Sequence, residues 1–94
     1  MVYEILSTGA ENAQTARTLC GLLGLTPREL TIAIERERRE GRPICSSTGR
    51  PAGYYIAANR QEMAAFCRSL RHRAGEIHKT REACINMLDK LPAK

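Results

Sequence analysis

The sequence predicts a mainly α-helical fold with a small β-hairpin and a long C-terminal helix. Three observations predict it. Thr26-Pro27-Arg28-Glu29 places a hydroxyl at an N-cap, proline at the first helical position and glutamate at the third, which is a capping box. Two short apolar runs, Ile44-Cys45-Ser46 and Tyr54-Tyr55-Ile56-Ala57, flank a Gly/Pro-rich loop from Ser47 to Gly53. From Asn59 to Leu91 there is no proline, and apolar residues recur in alternating steps of four and three.

The elements follow in order. Val2–Thr8 is a short apolar segment, too brief to stand alone, read as the first helical piece and interrupted by Gly9-Ala10-Glu11-Asn12. Thr15 is an N-cap for a helix carrying Ala16, Leu19, Cys20, Leu22 and Leu23 at helical spacing, which Gly24 ends. The capped helix, 27–40, turns Leu30, Ala33 and Ile34 inward and stops at Gly41, where a left-handed C-cap belongs. The hairpin cannot stand alone and must lie against the helices.

Asn59, with Glu62 three residues on, begins the last helix. Its seam is Met63, Cys67, Leu70, Ala74, Ile77, Cys84, Leu88 and Leu91, with Arg81 the one charged residue among them. Such a helix is roughly 50 Å long at 1.5 Å per residue, whereas the preceding domain of under sixty residues is only about 25 Å across. Either the helix turns back near Gly75 or its stripe packs on another chain, and the reading adopted is dimerisation. Residues 1–57 then form one domain, and 58–94 the long helix.

At 94 residues the chain holds one small core, which excludes a multidomain enzyme. With no Trp, one Phe and three Tyr, that core is mostly aliphatic. Fifteen Lys and Arg against ten Asp and Glu leave a net charge of +5. Residues 1–47 carry six Arg and six Glu, so the whole excess falls in the second half. Net positive charge suits an anionic partner such as nucleic acid, and equally serves solubility.

Cys20, Cys45, Cys67 and Cys84 lie about twenty residues apart, without a Cys-x-x-Cys pair or a histidine at ligand spacing, so no metal site and no cofactor are expected. They read as reduced, mostly buried side chains. The start, Met1-Val2-Tyr3-Glu4, lacks the layout of a signal peptide, and no stretch is long and apolar enough to span a membrane; a cytoplasmic protein is expected. Ser46-Ser47-Thr48 have no histidine or carboxylate nearby in sequence, and the glycines of 49–53 lack a phosphate-loop ending, so no enzymatic activity is expected.

Leu19-Cys20-Gly21-Leu22-Leu23-Gly24-Leu25-Thr26 resembles a helix-turn-helix signature, with Cys20 at the small-residue position and Leu-Gly making the turn. With the run from Thr26 to Gly41 and the return at Gly53-Tyr54-Tyr55, residues 2–57 resemble the winged helix-turn-helix family. They are similar to the N-terminal DNA-binding domain of the biotin operon repressor and to phage and mobile-element regulators. The resemblance implies that helix 27–40 enters a major groove of double-stranded DNA while the hairpin touches the backbone. With Leu30, Ala33 and Ile34 inward, Arg28, Ile32, Glu35 and Arg39 lie on the opposite face, flanked by Thr31 and Arg36; the resemblance puts Arg50 at the wing tip, and Thr15 and Arg17 at a phosphate-gripping helix start.

Two departures stand beside the resemblance. Segment 26–40 has four Arg against four Glu, so its net charge is zero, although phosphate neutralisation supplies much of DNA affinity. Glu37 falls where such domains often carry an apolar residue. The stretch from Arg68 to Arg81 has five basic residues against Glu76 alone. Either it lies along DNA, with Arg68 and Arg71 as contacts, or it is the solvated surface of a coiled coil. The function expected is sequence-specific DNA binding by a homodimeric transcriptional regulator of bacterial or phage type. The alternative is a winged-helix module that binds a protein partner, with the exposed Ile32 as its mark.

Overall fold

The computed structural model describes residues 1–93 and runs from a 3-10 turn, Tyr3–Ile5, through a second at Ala10–Asn12 to α1, Ala16–Leu23. Then follow α2, Pro27–Arg39, the strands β1, Ile44–Ser47, and β2, Gly53–Ile56, and the long helix α3, Arg60–Met87, with a last 3-10 turn at Leu88–Lys90. The protein is mainly helical, with one antiparallel hairpin and a long C-terminal helix, as the sequence predicts. Lys94 of the expected C-terminal segment lies outside the described residues.

Both helix starts in the first half form by the expected chemistry. The Thr15 hydroxyl accepts from Thr18 N at 3.1 Å. Around Thr26 the box is reciprocal: Glu29 N donates to the Thr26 hydroxyl at 3.1 Å, and Thr26 N donates to the Glu29 carboxylate at 2.9 Å. The Thr26 backbone N–H, and after it the Thr26 hydroxyl, hold the Glu29 carboxyl below its ordinary pKa. At the other end, Gly41 N donates to Arg38 O and Arg42 N to Glu37 O, both at 3.0 Å, which closes α2 in a Schellman motif. Gly41 takes φ +97°, a conformation that side-chain-bearing residues rarely adopt.

The first segment departs from expectation. Instead of a helix it makes a single 3-10 turn and then runs extended. Seven residues are too few to form a stable helix in isolation, and here a better acceptor competes for the first of their amides. The Glu37 carboxylate accepts from Val2 N and from Tyr3 N, each at 2.9 Å, with the Met1 ammonium 3.5 Å away. Glu37 is only 4% exposed. Burial pushes its pKa up, but the two backbone donors and the ammonium more than offset that, so the carboxyl titrates below its ordinary range.

Beyond the turn, the N-terminal segment becomes an edge partner for β2. Ile56 N donates to Ser7 O and Gly9 N to Ile56 O, while Gln14 and Tyr54 exchange both backbone bonds, at 2.8–2.9 Å throughout. With β1 on its other side, in the register Ile44↔Ile56 and Cys45↔Tyr55, β2 is paired along both edges. Gly53 allows the close approach, since a Cβ there would run into the Gln14 carbonyl.

The hairpin is therefore a middle layer. On one face Ile44 joins Val2, Leu6, Leu19, Leu30 and Ile34 in the aliphatic core, with Tyr54 and Ile56 packed against it. On the other, Cys45 and Tyr55 meet Phe66 and Met63 of α3. Asn59 caps α3 by accepting from Glu62 N at 2.9 Å. The Glu62 carboxylate accepts from Ala58 N at 2.9 Å and from Ala10 N at 3.1 Å, which lowers its pKa and ties the second 3-10 turn to the helix.

From Cys67 to the end of α3 every residue is exposed, and the helix passes Gly75 without turning back. Leu22 and two of the cysteines sit differently from the sequence reading. Leu22 is solvent-exposed, because α1 turns only Leu19 fully inward and Cys20 and Leu23 partly so. Of the cysteines, Cys45 is buried and Cys20 half-buried, but Cys67 and Cys84 are exposed because α3 leaves the domain.

Replacing Glu37 by Gln leaves one acceptor for two buried donors and is expected to cost about 2–3 kcal/mol in urea denaturation at pH 7. Because the folded pKa is depressed, the contribution of Glu37 is full above the unfolded carboxyl value of about 4.3 and is lost as pH falls through the folded value. The gap between wild type and Glu37→Gln should accordingly narrow toward pH 3.

Candidate nucleic-acid interface

Helix α2 buries Leu30, Ala33, Ile34 and Glu37 along one side. The 3.6-residue period then sends Arg28, Thr31, Ile32, Glu35, Arg36 and Arg39 to the opposite side, and all six are exposed. They form one continuous stripe over nearly the full helix. Ile32, at its middle, is 53% exposed.

The zero net charge of this segment does not describe the stripe. Glu29 is engaged at the cap with Thr26, and Glu37 points into the core toward Val2 and Tyr3. Glu40 lies at the C-cap. Glu35 remains in the stripe but is drawn sideways, since Arg38 Nη1 donates to its carboxylate at 3.1 Å. The outward face thus carries Arg28, Arg36 and Arg39 against one already paired carboxylate. The Thr31 hydroxyl donates to Pro27 O at 3.1 Å and leaves its methyl group available.

Thr15 and Arg17 are exposed at the start of α1, and Arg50 is exposed in the loop between the strands. Arg68 and Arg71 are exposed on α3. The hairpin and α3 enclose an open cleft, and the basic residue of α3 that lines it is Arg73, beside His72, rather than Arg68 or Arg71. Of the predicted seam, Met63 is partly buried within the chain's own second cluster and is not free for a partner. Cys67, Leu70, Ala74, Ile77, Cys84, Leu88 and Leu91 are exposed. No group of His, Cys, Asp or Glu among the described residues could hold a metal ion, and no helix among them is long and apolar enough to cross a membrane.

Arg38 and Phe66 organise the interface, and neither was singled out as a site by sequence. Arg38 Nε donates to Ile44 O at 2.8 Å, and its guanidinium lies 4.6 Å from the Phe66 ring centroid and 6.0 Å from that of Tyr54. One side chain of α2 thereby bridges β1 and α3. Of the guanidinium nitrogens, Nε and Nη1 donate to oxygens and Nη2 is buried without an acceptor. Phe66 is 5% exposed, the one buried residue of α3. The usable signal was that Phe66, the single phenylalanine, adjoins Met63 and Cys67 on the first two turns of the helix.

No protein-family model, curated protein or solved structure matches this chain. Functional inference therefore rests on the side chains and their geometry.

Exchanging Arg38 for Met keeps the apolar stem but removes the bond to Ile44 O and the cation over Phe66. It is expected to destabilise the fold by about 2 kcal/mol. Amide exchange should quicken around Ile44–Ser47 and the first turns of α3 before it does in α1.

Proposed function

We propose that this chain is a winged helix-turn-helix protein that binds double-stranded DNA as a homodimeric transcriptional regulator of bacterial or phage type. In this reading α2 enters the major groove, the β1–β2 loop is the wing, and α1 begins against a phosphate. The observation that carries it is the outward stripe of α2, where Arg28, Arg36 and Arg39 stand with Glu35, while Glu37 is turned into the core and Glu29 is bonded to the N-cap Thr26. Arg28, Arg36 and Arg39 suit guanine edges or phosphates, while Thr31 and Ile32 suit a thymine methyl. Arg50, Arg68 and Arg71 add charge at the wing and along the flanking helix.

The dimer is supported by α3. Ile77 is 70% exposed and Leu88, in the 3-10 turn that follows α3, 67%, with Leu70 and Cys84 also open on the same four-three spacing; Leu91 of the predicted seam has extended backbone and falls outside it. That spacing is the seam of a coiled coil, and a second copy supplies a matching stripe.

Fluorescence anisotropy on random duplex at two salt concentrations tests the DNA reading. Binding at low salt that weakens steeply as salt rises is expected, and no binding at low salt would overturn it. Within a selected site, Arg28→Ala should cost about 1–3 kcal/mol at one base position, whereas Arg71→Ala should weaken all sequences alike. Sedimentation equilibrium at micromolar concentration should give a dimer that Ile77→Asp with Leu88→Asp converts to monomer. A wild-type monomer with α3 still helical would contradict the seam.

A second reading rests on the exposed Ile32 and Leu22 beside a helix of mixed charge. In it the same face docks a protein partner. Loss of that partner on Ile32→Glu, with DNA affinity unchanged, would favour it.

A further inference from the structure

The cleft between the hairpin and α3 has a volume of about 680 Å³, within the range of sites that hold small organic molecules. Its depth and its rim differ in chemistry. Buried Tyr55 and Phe66 form an aromatic floor. The exposed rim carries Thr48 from the hairpin end and Ser69, His72 and Arg73 from α3. No aspartate or glutamate lines the cleft. The Arg38 guanidinium lies 4.6 Å from the centroid of the Phe66 ring.

An aromatic floor without carboxylates, under a rim bearing one arginine and several donors, selects for flatness and negative charge together. We propose that this cleft binds a small organic anion with a planar apolar body, of the kind presented by an aryl carboxylate or a nucleoside monophosphate. The body lies against Tyr55 and Phe66, and the anionic group meets Arg73, with the Ser69 and Thr48 hydroxyls and the His72 ring within the same rim. A ligand so placed bridges hairpin and long helix, the two elements joined otherwise through Phe66 and its neighbours. The inference does not require DNA binding, because it is read on the free protein.

The test is a titration of the full-length chain, followed by backbone amide NMR, with four probes: benzoate, adenosine monophosphate, inorganic phosphate and benzyl alcohol. At least one organic anion should shift amides saturably at Ser46–Thr48, Gly53–Tyr55 and Phe66–Arg73. Phosphate alone and the neutral alcohol should bind about tenfold more weakly or not at all. Arg73→Ala should weaken the organic anion about tenfold. Ala65→Trp, which fills the cleft from an exposed helix position, should abolish binding, while Arg81→Ala leaves it unchanged; amide spectra of the unliganded variants verify that each is folded. Which of benzoate and the nucleotide binds identifies the source of the anion. The proposal is overturned if neither organic anion gives saturable shifts, if inorganic phosphate binds as tightly as they do, or if binding survives both Arg73→Ala and Ala65→Trp.

Discussion

A single carboxylate sets the order of assembly in this protein. Glu37, buried on the inner side of α2, takes the amides of Val2 and Tyr3 and so fixes where the N-terminal segment enters the core. From that anchor the segment continues along β2, giving Ile56 and Tyr54 partners on the edge that β1 does not cover. A two-stranded hairpin is marginal alone, and it becomes a stable layer here because a third stretch of backbone pairs with it and both its faces are covered. α3 then stands on the far face of that layer, held by Phe66, Met63 and the Glu62 carboxylate. An apolar residue at position 37 could fill the same space but could not satisfy two backbone donors.

The same interaction shapes the surface. A helix with equal numbers of arginines and glutamates would be a poor match for a polyanion if its charges were spread evenly around it. In α2 they are not. One glutamate is turned into the core and one is bonded at the cap, which leaves the outward stripe richer in arginine than the composition implies. The arginine-rich face of α2 is thus a matter of arrangement, while the net +5 of the chain lies in its second half, in the hairpin loop and the C-terminal segment.

What was legible in the sequence was whatever depended on neighbours in the chain. The capping box at Thr26 and Glu29, the Asn59–Glu62 start, the glycine ends of α1 and α2 and the two strands all rest on residues a few positions apart. So does the uninterrupted reach of α3, although the sequence left open whether it turned back. Long-range pairings were not legible. The helical period put Glu37 on the inward side, unlike Glu35, but the amides it meets are 34 and 35 residues away and nothing local named them. Arg38 sits one position beyond the apolar stripe and looked like surface charge until Ile44 and Phe66 were brought to it. For the candidate interface, the residues of the stripe follow from helical period alone, but the removal of opposing carboxylates from it does not. On α3 the period indicated a seam, but it could not separate Met63, which the chain covers itself, from Ile77 and Leu88, which it leaves open.

The central claim is that the outward stripe of α2 is the surface that meets a polyanion. Amide and arginine side-chain NMR shifts of the chain on addition of a short random duplex at low salt test it most directly. The account predicts that the largest changes fall on Arg28, Thr31, Ile32, Arg36 and Arg39, with a second group at the hairpin loop around Arg50, and that residues of the buried side move little. Changes confined to α3, with the α2 stripe silent, would contradict it.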